Sequence, residues 1–342
     1  MGACFVLRTT CKKLDTGTFS WLFLRMSCIS ELGRRGGPKF IDLVWMLPSE
    51  ASLAASWRIW VPVICAMLSA SGVNASAADD KTTYSLANPT PDRLLREMTT
   101  DRPDITEVPF TVDAGRVQVE TTAFGYARSR PDADGAVTGG YELVGSNIRI
   151  GLTHDLEATI IVAPYARQRT VGPGVGAVAS GSGAVVLRAK WNLWGNDTFG
   201  KSSSTAFAVL PYVSLPTETH NGVSPEALDG GLQTFFATEL GDNFSFGMNV
   251  GLHSVKNLDA VGRHVETTAS ATLGYAWTEK FSTYGEVAAR TGLRDGMGDV
   301  GLVGGGMAYR VTKDVQLDCG VNFGVTLASP RYSPFIGVSA RF

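Results

Sequence analysis

Side chains able to carry covalent chemistry are few in this 342-residue sequence, and they are poorly arranged for it. A hydrolase needs a nucleophile, a base and an orienting partner within hydrogen-bond reach. The only histidines are His154, His220, His253 and His264. Ser254 follows His253, but neighbours along a strand point to opposite faces, so the two do not form a dyad. No G-x-S-x-G, H-E-x-x-H or C-x-x-C occurs. Gly172-Pro173-Gly174-Val175-Gly176 and Gly304-Gly305-Gly306 lack the strand-to-helix context of a phosphate loop. They read as a mobile loop and a close-packed strand bend. No catalytic residue, metal site or cofactor is assigned, and the chain reads as a non-enzyme. What remains is ionic and amide chemistry at alternating positions: Asn147, Arg149, Arg188, Lys190, Asn249, Glu266, Glu286, Arg290, Asp318 and Asn322.

The elements that must position these residues follow from composition and periodicity. Charged residues make up 18% of the chain and glycine 39 of its residues, which argues against a helical bundle, a coiled coil or a disordered chain. The formal net charge of −2 gives no basic footprint for nucleic acid. No apolar run approaches the ~18 residues of a transmembrane helix. A soluble β-rich protein or a membrane β-barrel remains.

From Arg116 onward the dominant pattern is strict alternation. Val315, Leu317, Cys319, Val321, Phe323, Val325 and Leu327 share one face, opposed by Gln316, Asp318, Gly320, Asn322, Gly324 and Thr326. Phe244–His253, Val144–Leu152 and Val185–Trp194 repeat the pattern. Twelve such segments are predicted: 116–128, 140–152, 156–168, 183–194, 204–215, 229–240, 243–254, 264–277, 281–291, 299–311, 315–327 and 332–342. Most have the length a tilted strand needs to cross a bilayer, about twice that of soluble strands. Tight polar turns (153–155, 241–243, 278–280, 312–314) alternate with longer segments (129–139, 169–182, 216–228, 255–263, 292–298), as in outer-membrane barrels. The turn 195–203 is longer than that pattern asks. Pro164, Pro211 and Pro334 fall inside predicted strands, where each removes a ladder bond.

In hydrocarbon every backbone polar group must be paired, so a spanning sheet must close. The fold expected is therefore a closed antiparallel transmembrane β-barrel of about twelve strands. Its apolar face meets lipid, with Trp191, Trp194, Tyr275, Trp277, Phe281 and Tyr332 near strand ends as girdle residues. Its polar face lines the lumen. The opposed charges there either orient passing solutes or pair with one another to hold the lumen together, and both readings stay open. The inward glycines (Gly145, Gly151, Gly247, Gly251, Gly274, Gly320 and Gly324) favour open space over filling.

The front of the chain is different. Arg58, the apolar stretch Ile59–Leu68 and the A-x-A-like Ala75-Ser76-Ala77 describe a cleaved secretory signal. With a start at Met46 the signal covers 46–77, and 1–45 is an over-extended start; a genuine long n-region is the alternative. Removing 1–77 takes eight Lys/Arg and four Asp/Glu, leaving 22 against 28, and only Cys319 of the five cysteines. No disulfide framework is available to such a chain.

Residues 78–115 do not alternate. Thr90-Pro91-Asp92 opens a predicted short helix over Arg93–Met98. Asp101, Arg102, Pro103 and Asp104 then read as an ion-paired turn. The segment is either a periplasmic tail or a plug docked against Arg149, Arg188, Lys190 or Glu286. The string Thr100–Glu120, TDRPDITEVPFTVDAGRVQVE, with the strand that follows and the terminal Phe342, resembles the outer-membrane transporter family known as the putative meta-pathway of phenol degradation. Phe342 ending an alternating strand also resembles the signal read by the barrel-assembly machinery. The resemblance implies an outer-membrane barrel that passes small, often aromatic, compounds. The function expected is a bacterial outer-membrane channel for passive uptake of small aromatic or hydrophobic solutes. Its expected partners are outer-membrane lipid, the assembly machinery and the solute, with no nucleic acid. A structural or adhesin-like barrel and an outer-membrane lipid hydrolase are the alternatives.

Overall fold

A computed structural model of the chain describes residues 80–342, apart from 201–202, 218–222, 224–226, 242, 258–260 and 293–297, together with two short strands nearer the N-terminus. Those strands, β1 (Phe23–Met26) and β2 (Ile41–Val44), pair antiparallel and belong to a separate unit, Met1–Ala70. The predicted signal over 46–77, and His220, lie outside the described residues.

The second unit, Ser71–Phe342, is built on one sheet. Its strands are β3 (Val117–Arg128), β4 (Val137–Gly151), β5 (Leu156–Val162), β6 (Tyr165–Gly172), β7 (Val175–Gly181), β8 (Val185–Trp194), β9 (Thr205–Leu215), β10 (Asp229–Glu239), β11 (Phe244–Lys256), β12 (Arg263–Ala276), β13 (Phe281–Thr291), β14 (Val300–Thr312), β15 (Val315–Gly324) and β16 (Tyr332–Arg341). All pairings are antiparallel, between chain neighbours except β4–β6 and β5–β8, and β16 returns to pair with β3, which closes the barrel. The terminal Phe342 completes that seam: its N–H donates to the Val117 carbonyl at 2.8 Å, and its own carbonyl accepts from Val117 N.

The fourteen segments make twelve staves, because two staves are interrupted. β4 pairs with β5 over 146–151 and with β6 over 137–143, while β8 and β7 continue the same two-part pairing. Pro164 breaks the first stave, as a missing donor should. Across from it, Gly183 N donates to the Ala163 carbonyl, so the two interruptions face each other. Val144 sits where β4 changes partner, at φ 57°, a conformation uncommon for a β-branched residue. Residues 169–182 are therefore mostly strand, not the long loop expected. Pro173 and Gly174 (φ 75°) form the tight β6–β7 turn, which replaces the expected mobile loop.

The other two prolines are accommodated on one side only. Pro211 pairs with Leu232 of β10 but has no partner on β8. Pro334 pairs with Val321 of β15 but has none on β3. The helix expected over Arg93–Met98 reduces to a single 3-10 turn, Asp92–Leu94.

Polar side chains are mostly inside and large apolar ones mostly outside, the reverse of a soluble protein, with Leu210 and Phe235 buried against Ala208 as the exception. Arg149, Lys190, Gln118, Glu120 and Glu157 are fully buried, while Leu187, Trp191, Leu273, Val287, Val303 and Ile336 are exposed. This inversion follows when the outer solvent is hydrocarbon. Aromatic contacts mark both ends of the belt. Phe244, Tyr275 and Trp277 cluster at the end carrying the short turns and the C-terminus. Phe124–Tyr141–Tyr165 and Tyr126–Tyr332 form the ring at the opposite end.

Candidate functional site

Residues 99–112 run inside the barrel, where lumen side chains satisfy their backbone, while the flanks bond strand-end backbone, as Leu86 N to Leu152 O and Gly115 N to Gly151 O. This is how irregular backbone is tolerated at membrane depth. Gln118 Nε2 donates to Thr99 O, Arg149 to Phe110 O, Lys190 Nζ to Val108 O and Asn192 Nδ2 to Pro109 O, at 2.6–3.0 Å. In the other direction Arg102 N donates to Glu120, Val112 N to Glu157 and Ile105 N to Glu286. Gln316 Nε2 reaches Thr100 Oγ1, and Thr106 Oγ1 reaches Ser270 Oγ. Nearer the short-turn end, Lys81 bridges Asp113 and Asp197, and Arg96 touches the same two carboxylates.

The ionic pattern has two walls. On β3, β4, β5 and β8, the cations Arg149, Arg188 and Lys190 face the strand carboxylates Glu120 and Glu157 and the segment's own Asp101 and Glu107. Arg149 holds Glu157 at 3.0 Å, Glu120 at 2.8 Å and Asp101 at 3.4 Å, while Lys190 holds Asp101 at 2.6 Å. Without the segment, this wall would carry three cations against two carboxylates. On the adjoining arc of β3, β16 and β15, Arg102 pairs with Asp318 at 2.6 Å, contacts Thr122 Oγ1 and stacks over the Phe335 ring. Adjacent residues of the segment thus serve two neighbouring arcs of the wall, which meet at β3. The expected ion-paired turn is not formed: Asp101 and Arg102 pair outward, with strands, and the Arg102–Pro103 peptide is cis.

Burial alone would raise the Asp101 carboxyl, but Arg149 and Lys190 outweigh it and hold the group well below the ordinary range. Asp104 goes the other way, pushed up to about 8 by burial and by the neighbouring Glu286 carboxylate.

All ten residues singled out from the sequence are on the inward face, in different surroundings. Asn147, Arg149, Arg188, Lys190, Glu286 and Asp318 touch the segment. Glu266 and Arg290 pair with each other toward the opposite mouth, where His264 Nε2 donates to Glu266. Asn249 Oδ1 and Asn322 Oδ1 are buried without a partner among the described residues, as are Glu286 Oε1 and Tyr284 Oη. The charges therefore pair and hold the lumen together over most of its depth.

The open space expected above the glycines is occupied. A Cβ at Gly151 would overlap the Asp113 carbonyl of the segment, one at Gly337 the Arg102 guanidinium, and one at Gly304 the Asn322 amide. Tyr284 lies across Gly306 and Gly320, with its hydroxyl 2.7 Å from the Cβ position of Gly320, and Phe335 covers the same spot. Glu107, Glu120, Glu157, Tyr284 and Phe335 were not singled out from the sequence. Glu120 and Glu157 could have been, since each alternates with apolar neighbours in a predicted strand, Glu120 with Val119 and Glu157 with Leu156 and Ala158.

His253 hydrogen-bonds Tyr212 and Thr268 at 2.8 Å each, and Ser254 on the opposite face accepts from Arg263. No group of His, Cys, Asp and Glu among the described residues could hold a metal ion.

The family model described as "Putative MetA-pathway of phenol degradation" matches residues 100–342. No curated protein matches the chain. Among solved structures, the COG4313 outer membrane channel from Pseudomonas putida F1 superposes with a TM-score of 0.54 at 13% identity, covering 71% of this chain and 100% of that one. The transport unit of the autotransporter AIDA-I from Escherichia coli gives 0.44 at 10% identity, with 72% and 93% covered. The NanC porin gives 0.41 at 11%, with 65% and 98% covered. The first of these shows a shared fold.

Proposed function

The chain belongs to the family described as Putative MetA-pathway of phenol degradation, and from that premise we propose that it is an outer-membrane channel for passive uptake of small aromatic compounds. Residues 80–116 act as its plug. The observation that carries this reading is how the segment is held. Side-chain bonds and ion pairs hold residues 99–112 inside the lumen, so that stretch can yield without any strand of the barrel unzipping.

The solute class is read from what the lumen offers beside the plug. Tyr284 and Phe335 meet over a glycine floor at Gly306 and Gly320, and Tyr212 adds a ring toward the opposite mouth. Next to the first two, Glu286 Oε1, Asn322 Oδ1 and Tyr284 Oη are free to accept a hydrogen bond. Ring surface beside unpartnered acceptors suits a small aromatic carrying a donor, such as a phenol. Passage is diffusion, with no covalent step.

The test is single-channel conductance of the chain from Ala78 to Phe342, beside the same chain lacking 79–110. Small steps for the former, larger steps for the latter and partial block by phenol are expected. A folded barrel that conducts no better without the segment would overturn the plug, and indifference to phenol would overturn the solute class.

A further inference from the structure

The lipid-facing wall carries a basic cluster that the channel does not use. Phe323, Tyr332 and Arg128 occupy one register row across β15, β16 and β3, and Phe323 is half exposed on the outer face. Gly139 and Arg169 continue the row on β4 and β6. The next row runs Tyr126, Tyr141, Arg167. Beyond the strand ends, Arg130 and Arg331 join Arg128, Phe323, Gly324 and Tyr332 around a recess of about 600 Å³.

Two features set this cluster apart from scattered surface arginines. Its backbone is built: Arg331 N donates to the Arg128 carbonyl at 2.6 Å, and the Arg130 guanidinium donates to the Gly324 and Thr326 carbonyls. The guanidinium groups of Arg128, Arg167, Arg169 and Arg331 nonetheless make no ion pair among the described residues. Its position is also specific. It lies at and just beyond the aromatic ring formed by Tyr126–Tyr332 and Phe124–Tyr141–Tyr165. That ring is at the end away from the termini and short turns, which in outer-membrane barrels is the external side. An occupant must therefore be anionic at its head and apolar where it meets the Phe323–Tyr332 wall. Guanidinium forks match the oxygens of a phosphate.

We propose that Arg128, Arg130 and Arg331, flanked by Arg167 and Arg169, dock the phosphate-bearing headgroup of an outer-leaflet glycolipid, whose acyl chains lie along the barrel wall. The inference rests on the outer-membrane reading but not on transport.

Native mass spectrometry of the full barrel, purified in a neutral detergent and titrated with bisphosphorylated lipid A, tests it. Saturable binding is expected, weakened about tenfold or more in Arg128→Gln/Arg331→Gln by the loss of two charge-assisted contacts. Lys280→Gln, at a short turn, should bind as the unmodified chain does. Arg128→Lys, which keeps the charge and loses the fork, should fall between and covers the case in which the double variant does not fold. Equal binding of lipid A stripped of its phosphates, or unchanged affinity in the arginine variants, would overturn the site. Full displacement by millimolar inorganic phosphate would make it a site for free anions and overturn the lipid. Because the readout is binding, a barrel that never conducts would leave this result intact.

Discussion

Lys190 Nζ lies 2.6 Å from Asp101 Oδ1 inside the barrel, joining a spanning strand to a segment that only enters the lumen. The ammonium has no exposure at all, and the carboxylate very little. Removing two such charges from water is costly unless each is fully matched. Here Arg149, Glu157 and Glu107 supply the rest of the match within 4 Å. The pair therefore works as a registration device, since without the docked segment Arg188 loses Glu107 and Lys190 keeps only Glu157, at 3.9 Å.

Asp101→Ala should separate docking from barrel formation. Breaking a buried pair by removing one partner costs about 3–5 kcal/mol, and here the cost falls on the segment. The variant should migrate as a folded, heat-modifiable barrel, while residues 80–116 become sensitive to protease and conductance rises. Unchanged conductance and protection would show that Asp101 does not hold the segment.

Docking should also respond to pH through Asp104. Its carboxyl titrates near 8 when docked, against 3.8 for the unperturbed group. Docking therefore favours the protonated form. The contribution is complete below about pH 4 and is lost progressively as pH rises to about 8. Asp101 has the opposite sign: its depressed value gives docking a contribution present above about pH 4 and lost in stronger acid. Conductance should thus climb between pH 5 and about 8, and Asp104→Asn should flatten that climb. An equal slope in the variant would assign the response to another group.

The two faces of the wall should tolerate change very differently. Val287, exposed near the middle of β13, should lose about 2–4 kcal/mol of barrel stability as Val287→Arg if it lies at the bilayer midplane. Asn249→Ala, on the inward face with its carbonyl already unpartnered, should stay within about 0.5 kcal/mol. Denaturant midpoints for refolding into vesicles would measure both. Similar losses would invert the face assignment.

The sequence showed the barrel more clearly than the lumen, for physical reasons. A strand's period of two is written along the chain, so Val315–Leu327 declares its two faces without reference to any neighbour. The β6–β7 hairpin was lost because Gly172-Pro173-Gly174 resembles a loop, while its flanks alternate only weakly, with arginines among the outward residues. Which charges meet is a property of register and of a segment far away in sequence. Arg102 and Asp318 are 216 positions apart, and no local pattern links them. Glycine misled for a related reason. A missing side chain signals room, but not whether an arginine, a tyrosine or a second backbone has already taken it.

Gly151 turns that last point into a test that touches no charge. It is on the inward face at the end of β4, and its backbone passes so close to Val112 and Asp113 that a methyl group would overlap the Asp113 carbonyl. The obstacle is backbone on both sides, so neither can rotate away. Gly115 N donates to the Gly151 carbonyl at 2.9 Å, which fixes the two chains at that separation. Gly151→Ala should therefore push the segment out of register while leaving every ionic partner in place. Conductance should rise as it does in Asp101→Ala, now without a change in the charge lining the lumen and with ion selectivity kept. A barrel that conducts like the unmodified chain would mean that the segment shifts locally to admit the methyl, and that its ion pairs alone keep the lumen closed.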